Sequence, residues 1–426
     1  MTTSPSESVP QRIIDLPFCR DKPAGVSDVD YSSNCYNPHM GRKGGTAILR
    51  IVGAVGLLLC AAPRVRADDR LVRVRFGDQS SPSTVEGKLI VEAADGGVLL
   101  LGRDGRLHTI GHAKSPKLER LDRPFVRFNS SELARALCEE LGPDFEAIQT
   151  RHYVIATRGS REYAQWCGDL FERLLGAFLH HWKAAGLPLE EPKWPLPAII
   201  FEGEADFKVY ATADAGSFAG ESKGYYSIPT NRIVLYDLTA GKGKKRATTA
   251  SEIKRRAAAA SFNMATVVHE ATHQIAFNSG MHTRLADNPL WLTEGMAMYF
   301  ETPDLDGTHG WKTIGEINRP RLNRFLDFVR KRRKRDSIAT LVSGTERFLD
   351  SHKAADAYAE SWALTYFLNE KHRDQYVSYL KQLAKKKPMI WDEQEARQAE
   401  FEAAFGSDLK ALDAEFLRFM RALPRK

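Results

Sequence analysis

Val267-Val268-His269-Glu270-Ala271-Thr272-His273-Gln274-Ile275, followed by Trp291-Leu292-Thr293-Glu294-Gly295, is the stretch on which the reading of this chain turns. On a helix His269 and His273 lie one turn apart and project from one face, so both imidazoles can reach a single zinc ion. Glu270, beside the first of them, is placed to act as a general base. Two histidines do not complete a catalytic zinc site, which takes three protein ligands and keeps one position open. Glu294 follows His273 closely enough for one helix to end, a loop to turn and a second helix to return, and it is the expected third ligand. The motif alone arises by chance in roughly one or two chains per hundred of this length. Its setting is more telling: it lies in the apolar run Phe262-Asn263-Met264-Ala265-Thr266-Val267-Val268, and Asn288-Pro289-Leu290-Trp291 supplies a turn and helix start before Glu294. The competing reading is a core-facing helix whose polar groups only bond their neighbours. The spacing favours a zinc hydrolase site.

Trp291-Leu292-Thr293-Glu294-Gly295-Met296-Ala297-Met298-Tyr299-Phe300-Glu301 resembles the second zinc helix of gluzincin peptidases, in the pattern of aminopeptidase-like families. The spacing of Gly224-Tyr225-Tyr226, the two zinc helices and Tyr358 also resembles the secreted bacterial families called peptidase MA-like. The resemblance is strong over 262–301 and fainter over 150–420. It implies a zincin-like catalytic domain, one Zn2+ held by His269, His273 and Glu294, and peptide or protein substrates. It also implies that Tyr358, in its Tyr-Ala-x-Ser-Trp setting, donates to the oxyanion. Its plain alternative is a core tyrosine on a buried helix. Glu301, two turns beyond Glu294 on the same face, matches the final Glu of the pattern and is expected to orient a zinc-bound His. Met298 stands where thermolysin-like proteins would place an Asp. The Gly-x-Met-Glu-Asn segment that grips a substrate amino terminus is absent, so the resemblance reaches the zinc chemistry and not exopeptidase specificity.

The rest of the chain reads as α+β, with a small β module ahead of the catalytic part. With 426 residues, 43% of them hydrophobic and 27% charged, there is room for two or three domains. Residues 71–112 alternate as strands, with Asp95-Gly96 and Asp104-Gly105 as hairpin turns, and 68–125 is taken as the module. The zincin-like part with the zinc-site helices spans 126–301, and 302–426 is its helical C-terminal portion. Within 126–301, Ser130 to Leu141 and the stretch after Ser160 read as helices, and Tyr153–Ala156 and Ala198–Phe201 as strands. Gly224-Tyr225-Tyr226 through Tyr236 reads as a hairpin turning at Pro229–Asn231. In zincins an edge strand above the zinc helix pairs with extended substrates, so Gly224, Tyr225 and Tyr226 are candidates for it; a plain structural hairpin is the alternative. The basic loop Gly241-Lys242-Gly243-Lys244-Lys245-Arg246 reads as solvated.

The N-terminal 67 residues read as processing sequence. Residues 1–39 lack periodicity and are taken as disordered or a start-site artefact. Residues 40–67 carry a basic start, a short apolar run from Ile51 to Ala62, and Val65-Arg66-Ala67 as a cleavage-like end. That run is too short for a membrane span, and no stable span is expected in the mature chain. Cys60 follows Leu59, a poor lipobox, so lipoprotein anchoring is the lesser outcome. Loss of eight basic and five acidic residues lowers the net charge from +7 to +4, which calls for neither nucleic acid nor a membrane surface as partner. Cys138 and Cys167 would be the remaining cysteines, read as two buried thiols or one disulfide. The expectation is an exported zinc peptidase, periplasmic or extracellular, with mature sequence beginning at Asp68. A catalytically silent zincin-fold binding or structural protein of the cell envelope is the alternative.

Overall fold

The computed structural model describes residues 69–77, 82–239, 247–302, 304–305 and 311–424, so the expected signal peptide at 40–67, Cys60 and the basic loop at 241–246 lie outside the described residues. The fold is mixed α+β with two small sheets, and its contacts separate 69–126 from 127–424. In the first unit, β1 (Arg70–Phe76), β2 (Ser83–Glu92), β3 (Val98–Gly102), β4 (Leu107–Ile110) and β5 (Lys117–Pro124) form an antiparallel sheet ordered β4-β3-β2-β1-β5. Alternate residues Val72, Val74, Val98 and Leu100 join Ile110 in its core, as a period of two requires. Gly96 and Gly105 sit at φ 90° and 89°, the left-handed conformation their turns need. The charged strand β5, Lys-Leu-Glu-Arg-Leu-Asp-Arg-Pro, shows no such alternation in sequence. It is an edge strand, where charges discourage pairing with other chains.

The second unit is built on the sheet β6 (Glu146–Gln149), β7 (Tyr153–Thr157), β8 (Leu196–Phe201), β10 (Arg232–Tyr236) and β9 (Gly224–Ser227), in that spatial order. β7, β8 and β10 run parallel; β6 and β9 pair antiparallel at the edges. Parallel strands covered on both faces read as continuous apolar runs, and every residue of β7 and β8 is buried. Val154, Ala156, Ile199, Phe201 and Val234 meet α1 (Ser130–Leu141) and α3 (Glu204–Ala215) on one face. α2 (Arg161–Ala184) packs against β7, and α6 (Ser261–Asn278) against β9, β10 and α2. Caps fix the helix starts: the Asn129 side chain accepts from the Glu132 N–H, and Ser160 Oγ from the Tyr163 N–H. The short helices α4 (Ser217–Glu221) and α5 (Ala250–Ala259) complete the approach to α6. Cys138 and Cys167 are free thiols.

Beyond α6 the chain is helical. α7 (Leu290–Phe300) packs on α6, and α8 (Arg319–Lys331), α9 (Ser337–Ser343), α10 (Glu346–Leu349) and α11 (Ala354–Lys371) follow. α12 (Arg373–Leu383), α13 (Gln394–Phe405) and α14 (Leu409–Ala422) close the unit. Every residue of α7 is buried, so this helix is central and apolar all round instead of amphipathic. No described helix is long and apolar enough to cross a membrane.

α11 packs tightly on α7 at Gly295, next to Glu294. A Cβ there would overlap the Thr365 hydroxyl and lie 2.6 Å from the Ser361 carbonyl oxygen, which belongs to helix backbone and cannot swing away. Gly295→Ala should therefore destabilise the protein by about 1–3 kcal/mol through overpacking. A denaturant midpoint equal to that of wild type would contradict this account of the α7–α11 contact.

Candidate metal centre

Helix α6 carries His269 and His273 one turn apart, and α7 packs on it with Glu294 against both. His269 Nε2 lies 3.1 Å from His273 Nε2 and 3.2 Å from Glu294 Oε2; His273 Nε2 lies 3.6 Å from Glu294 Oε1. Two donors bound to zinc at tetrahedral angles with bonds of about 2.0–2.1 Å are separated by about 3.3 Å. The three separations bracket that value. All three side chains are buried, at 7%, 2% and 1% exposure. This triad can hold a metal ion, and among the described residues it is the one such cluster of His, Cys, Asp and Glu.

The electrostatics favour added positive charge. Burial opposes the charged form of His269, but its hydrogen bond to Glu294 and the charges of Glu270, Glu294 and Glu301 outweigh it and lift its pKa to about 9. Burial also opposes ionisation of Glu294, yet His273 and His269 draw it down to about 2. Glu270 moves the other way: burial raises its pKa, against the nearby histidines and the Tyr226 N–H. Three buried carboxylates thus act on two imidazoles, which is the environment of a cation site.

Glu301 stands beside His269, with its Oε1 3.7 Å from His269 Nδ1, an electrostatic contact longer than a hydrogen bond. Its carboxylate is held by Arg321, at 3.0 Å and 3.2 Å, and by Asn318 Nδ2 at 2.8 Å. Arg321 and Asn318 were not legible as site residues. They start α8, and only the return of α8 onto the end of α7 brings them to Glu301. Gln274, the residue after His273, also had no assigned role. Its Nε2 donates to the carbonyls of Pro197 (2.8 Å) and Asn231 (2.7 Å), pinning the metal helix to β8 and the β9–β10 turn.

The β9–β10 hairpin packs on α6, with its turn residue Asn231 at φ 60°. β9 is the sheet edge, yet Gly224, Tyr225, Tyr226 and Ser227 are all buried. The Tyr226 N–H donates to Glu270 Oε2 at 2.8 Å, and the Ser222 hydroxyl donates to the Gly224 carbonyl at 3.0 Å. Two backbone groups expected to meet substrate are therefore engaged within the chain. The phenols point elsewhere: Tyr225 Oη donates to Asp214 (2.9 Å) and Tyr226 Oη to Asn231 (2.8 Å). Gly224 has its own packing reason, because a side chain there would run into Leu235.

Tyr358 is buried on α11, edge-on to Phe348 at 5.3 Å. It acts electrostatically on Arg321, as do Glu301 and Glu294. One guanidinium thus links Tyr358 to the carboxylates of the centre.

Residues 263–390 match a family described as "Protein of unknown function (DUF1570)". The match runs from α6 into the segment after α12 and contains the triad, Glu270, Glu301, Arg321 and Tyr358. No curated protein matches the chain.

The raised pKa of His269 fixes the direction of a pH effect. With no metal bound, a proton on His269 contributes stability that is fully present below its ordinary value of 6.5 and is lost as pH rises through about 9. A metal ion must displace that proton, so apparent affinity should climb by about tenfold per pH unit until about pH 9 and then level off. Chelator-competition titrations from pH 6 to 9.5 measure this. A flat profile would contradict the charge balance derived for the triad.

Proposed function

We propose that this chain is an extracytoplasmic zinc-dependent peptidase of gluzincin type, with a zincin-like catalytic domain. The observation that carries the reading is the buried set of three donors 3.1–3.6 Å apart with a second carboxylate, Glu270, on the residue after His269 in the same helix. Two imidazoles and a carboxylate in such an arrangement suit zinc with an open position. Bound there, zinc would polarise a peptide carbonyl and acidify water. The export part of the proposal rests on the leader-like sequence at 40–67.

The protein's own groups have distinct tasks. Glu270 is the general base: burial raises its affinity for a proton, which brings a carboxylate nearer the range useful at neutral pH. The Tyr226 N–H fixes one of its oxygens, so the edge strand orients the base. Glu270 would take a proton from water and return it to the leaving nitrogen. Arg321 and Asn318 hold Glu301 beside the far nitrogen of His269, which favours presentation of Nε2 to the metal. Tyr358 is the proposed donor to the developing oxyanion, a role that rests on its resemblance.

Purified protein should contain one zinc per chain and lose peptide hydrolysis on treatment with a chelator. Glu270→Gln should retain the zinc and lower turnover by roughly 10²–10⁴. Zinc-loaded wild-type protein that cleaves no peptide faster than Glu270→Gln would instead support the silent binding-protein reading. Tyr358→Phe keeps the ring packed against Phe348 and should leave zinc content unchanged. Its kcat should fall by about 10²–10³ with little change in KM. Normal turnover in this variant would make Tyr358 a core residue only.

A further inference from the structure

Asn231, at the β9–β10 turn, is fully buried and stands at φ 60°. That left-handed backbone explains an Asn or Gly at this position, since other residues adopt it at a cost. It does not explain a buried side-chain amide, which is unfavourable to bury unless its polar atoms are hydrogen-bonded. The bonds are present. Asn231 Oδ1 accepts from Tyr226 Oη at 2.8 Å and from Asn278 Nδ2 at 2.7 Å, and Asn231 Nδ2 donates to Asn278 Oδ1 at 3.0 Å. Asn278 Nδ2 also donates to the Gln274 carbonyl at 2.8 Å, and Gln274 Nε2 donates to the Asn231 carbonyl at 2.7 Å.

These partners belong to the two elements that meet at Glu270. Tyr226 lies on β9, and Asn278 is the last residue of α6, the helix that carries His269, Glu270 and His273. Tyr226 is held at three points. Its phenol is bound to Asn231, its ring stacks on Phe277 of α6 at 5.7 Å, and its N–H donates to Glu270 Oε2 at 2.8 Å. A hydrogen bond of that length weakens steeply once donor and acceptor are moved or tilted apart. The Asn231 amide bridges the strand that supplies the donor and the helix that supplies the acceptor. A glycine would satisfy the turn and lose the bridge.

Resting on the peptidase reading, we infer that Asn231 is a positioning residue for the general base: its side-chain amide ties Tyr226 to the end of α6 and so fixes the Tyr226 N–H against Glu270. It acts through Tyr226 and not on the substrate, and it stands outside the group of donors that converge with Glu294. Its effect therefore falls on the proton transfers of Glu270, and so on kcat, with substrate binding and metal binding left as they are.

The test uses the zinc-loaded full chain and two substitutions. Asn231→Gly removes the amide and keeps a residue at ease at φ 60°. Tyr226→Phe removes the phenol bond to Asn231 and keeps the ring on Phe277 and the backbone N–H. Zinc content, kcat and KM are measured on a peptide that wild type cleaves, well below each thermal midpoint, so that every variant is fully folded. The expected result for Asn231→Gly is unchanged zinc, unchanged KM and kcat lower by about tenfold to 10²-fold. Tyr226→Phe should lower kcat in the same way, and the double variant should fall no further than Asn231→Gly alone, because both cut one link. Wild-type kcat in Asn231→Gly makes Asn231 a turn residue only and overturns the inference. So do loss of zinc, a fall carried by KM, or losses that multiply in the double variant. If Asn231→Gly does not fold, Tyr226→Phe decides: lowered kcat at unchanged KM supports the inference, and wild-type kcat overturns it. If wild type itself cleaves nothing in a peptide-library digest, the peptidase reading fails and this inference with it. A wild type that cleaves and an Asn231→Gly that cleaves equally well leave that reading standing and overturn this inference alone.

Discussion

Negative charge confined among apolar helices is the constraint from which the rest of the site follows. Glu270, Glu294 and Glu301 are all buried, on helices whose other residues are largely apolar. Isolated carboxylates in such surroundings would be strongly disfavoured, so each must meet hydrogen-bond donors or positive charge. Glu301 meets Arg321 and Asn318, Glu270 meets the Tyr226 N–H, and Glu294 meets the two imidazoles. The last of these is the pairing that a proton on His269 sustains and that a divalent cation can replace.

Several features of the fold serve that arrangement. Gln274 fixes the rotation of α6 on the sheet, so His269, Glu270 and His273 face α7 and β9 together. Gly295 lets α11 press on α7, which presents Glu294 from a closely packed, buried helix. The β9–β10 hairpin then closes over Glu270. Placing reactive side chains on packed elements instead of loops holds donor atoms within a few tenths of an ångström. The hairpin accordingly holds Glu270 as well as forming a sheet edge, since the Tyr226 N–H donates to that carboxylate.

Much of the fold was legible. The parallel strands at Tyr153–Thr157 and Leu196–Phe201 announce themselves as apolar runs, and the motif helix is given by His269 and His273 at a spacing of four. The triad was legible because its chemistry restricts residue type and interval together. What was not legible depends on return of distant chain. Arg321 and Asn318 reach Glu301 only when α8 folds back, and the role of Gln274 needs two carbonyls supplied by other elements. The charged edge strand β5 owes its conformation to pairing with β1, not to any alternation of its own.

The central claim is that His269, His273 and Glu294 bind one ion through two imidazole nitrogens and a carboxylate. X-ray absorption at the zinc edge of the loaded protein addresses it most directly. The account predicts a four- or five-coordinate ion with two imidazoles and oxygen donors at about 2.0–2.2 Å, a signature that collapses in His273→Ala. A six-oxygen shell, or a spectrum that His273→Ala leaves unchanged, would contradict it.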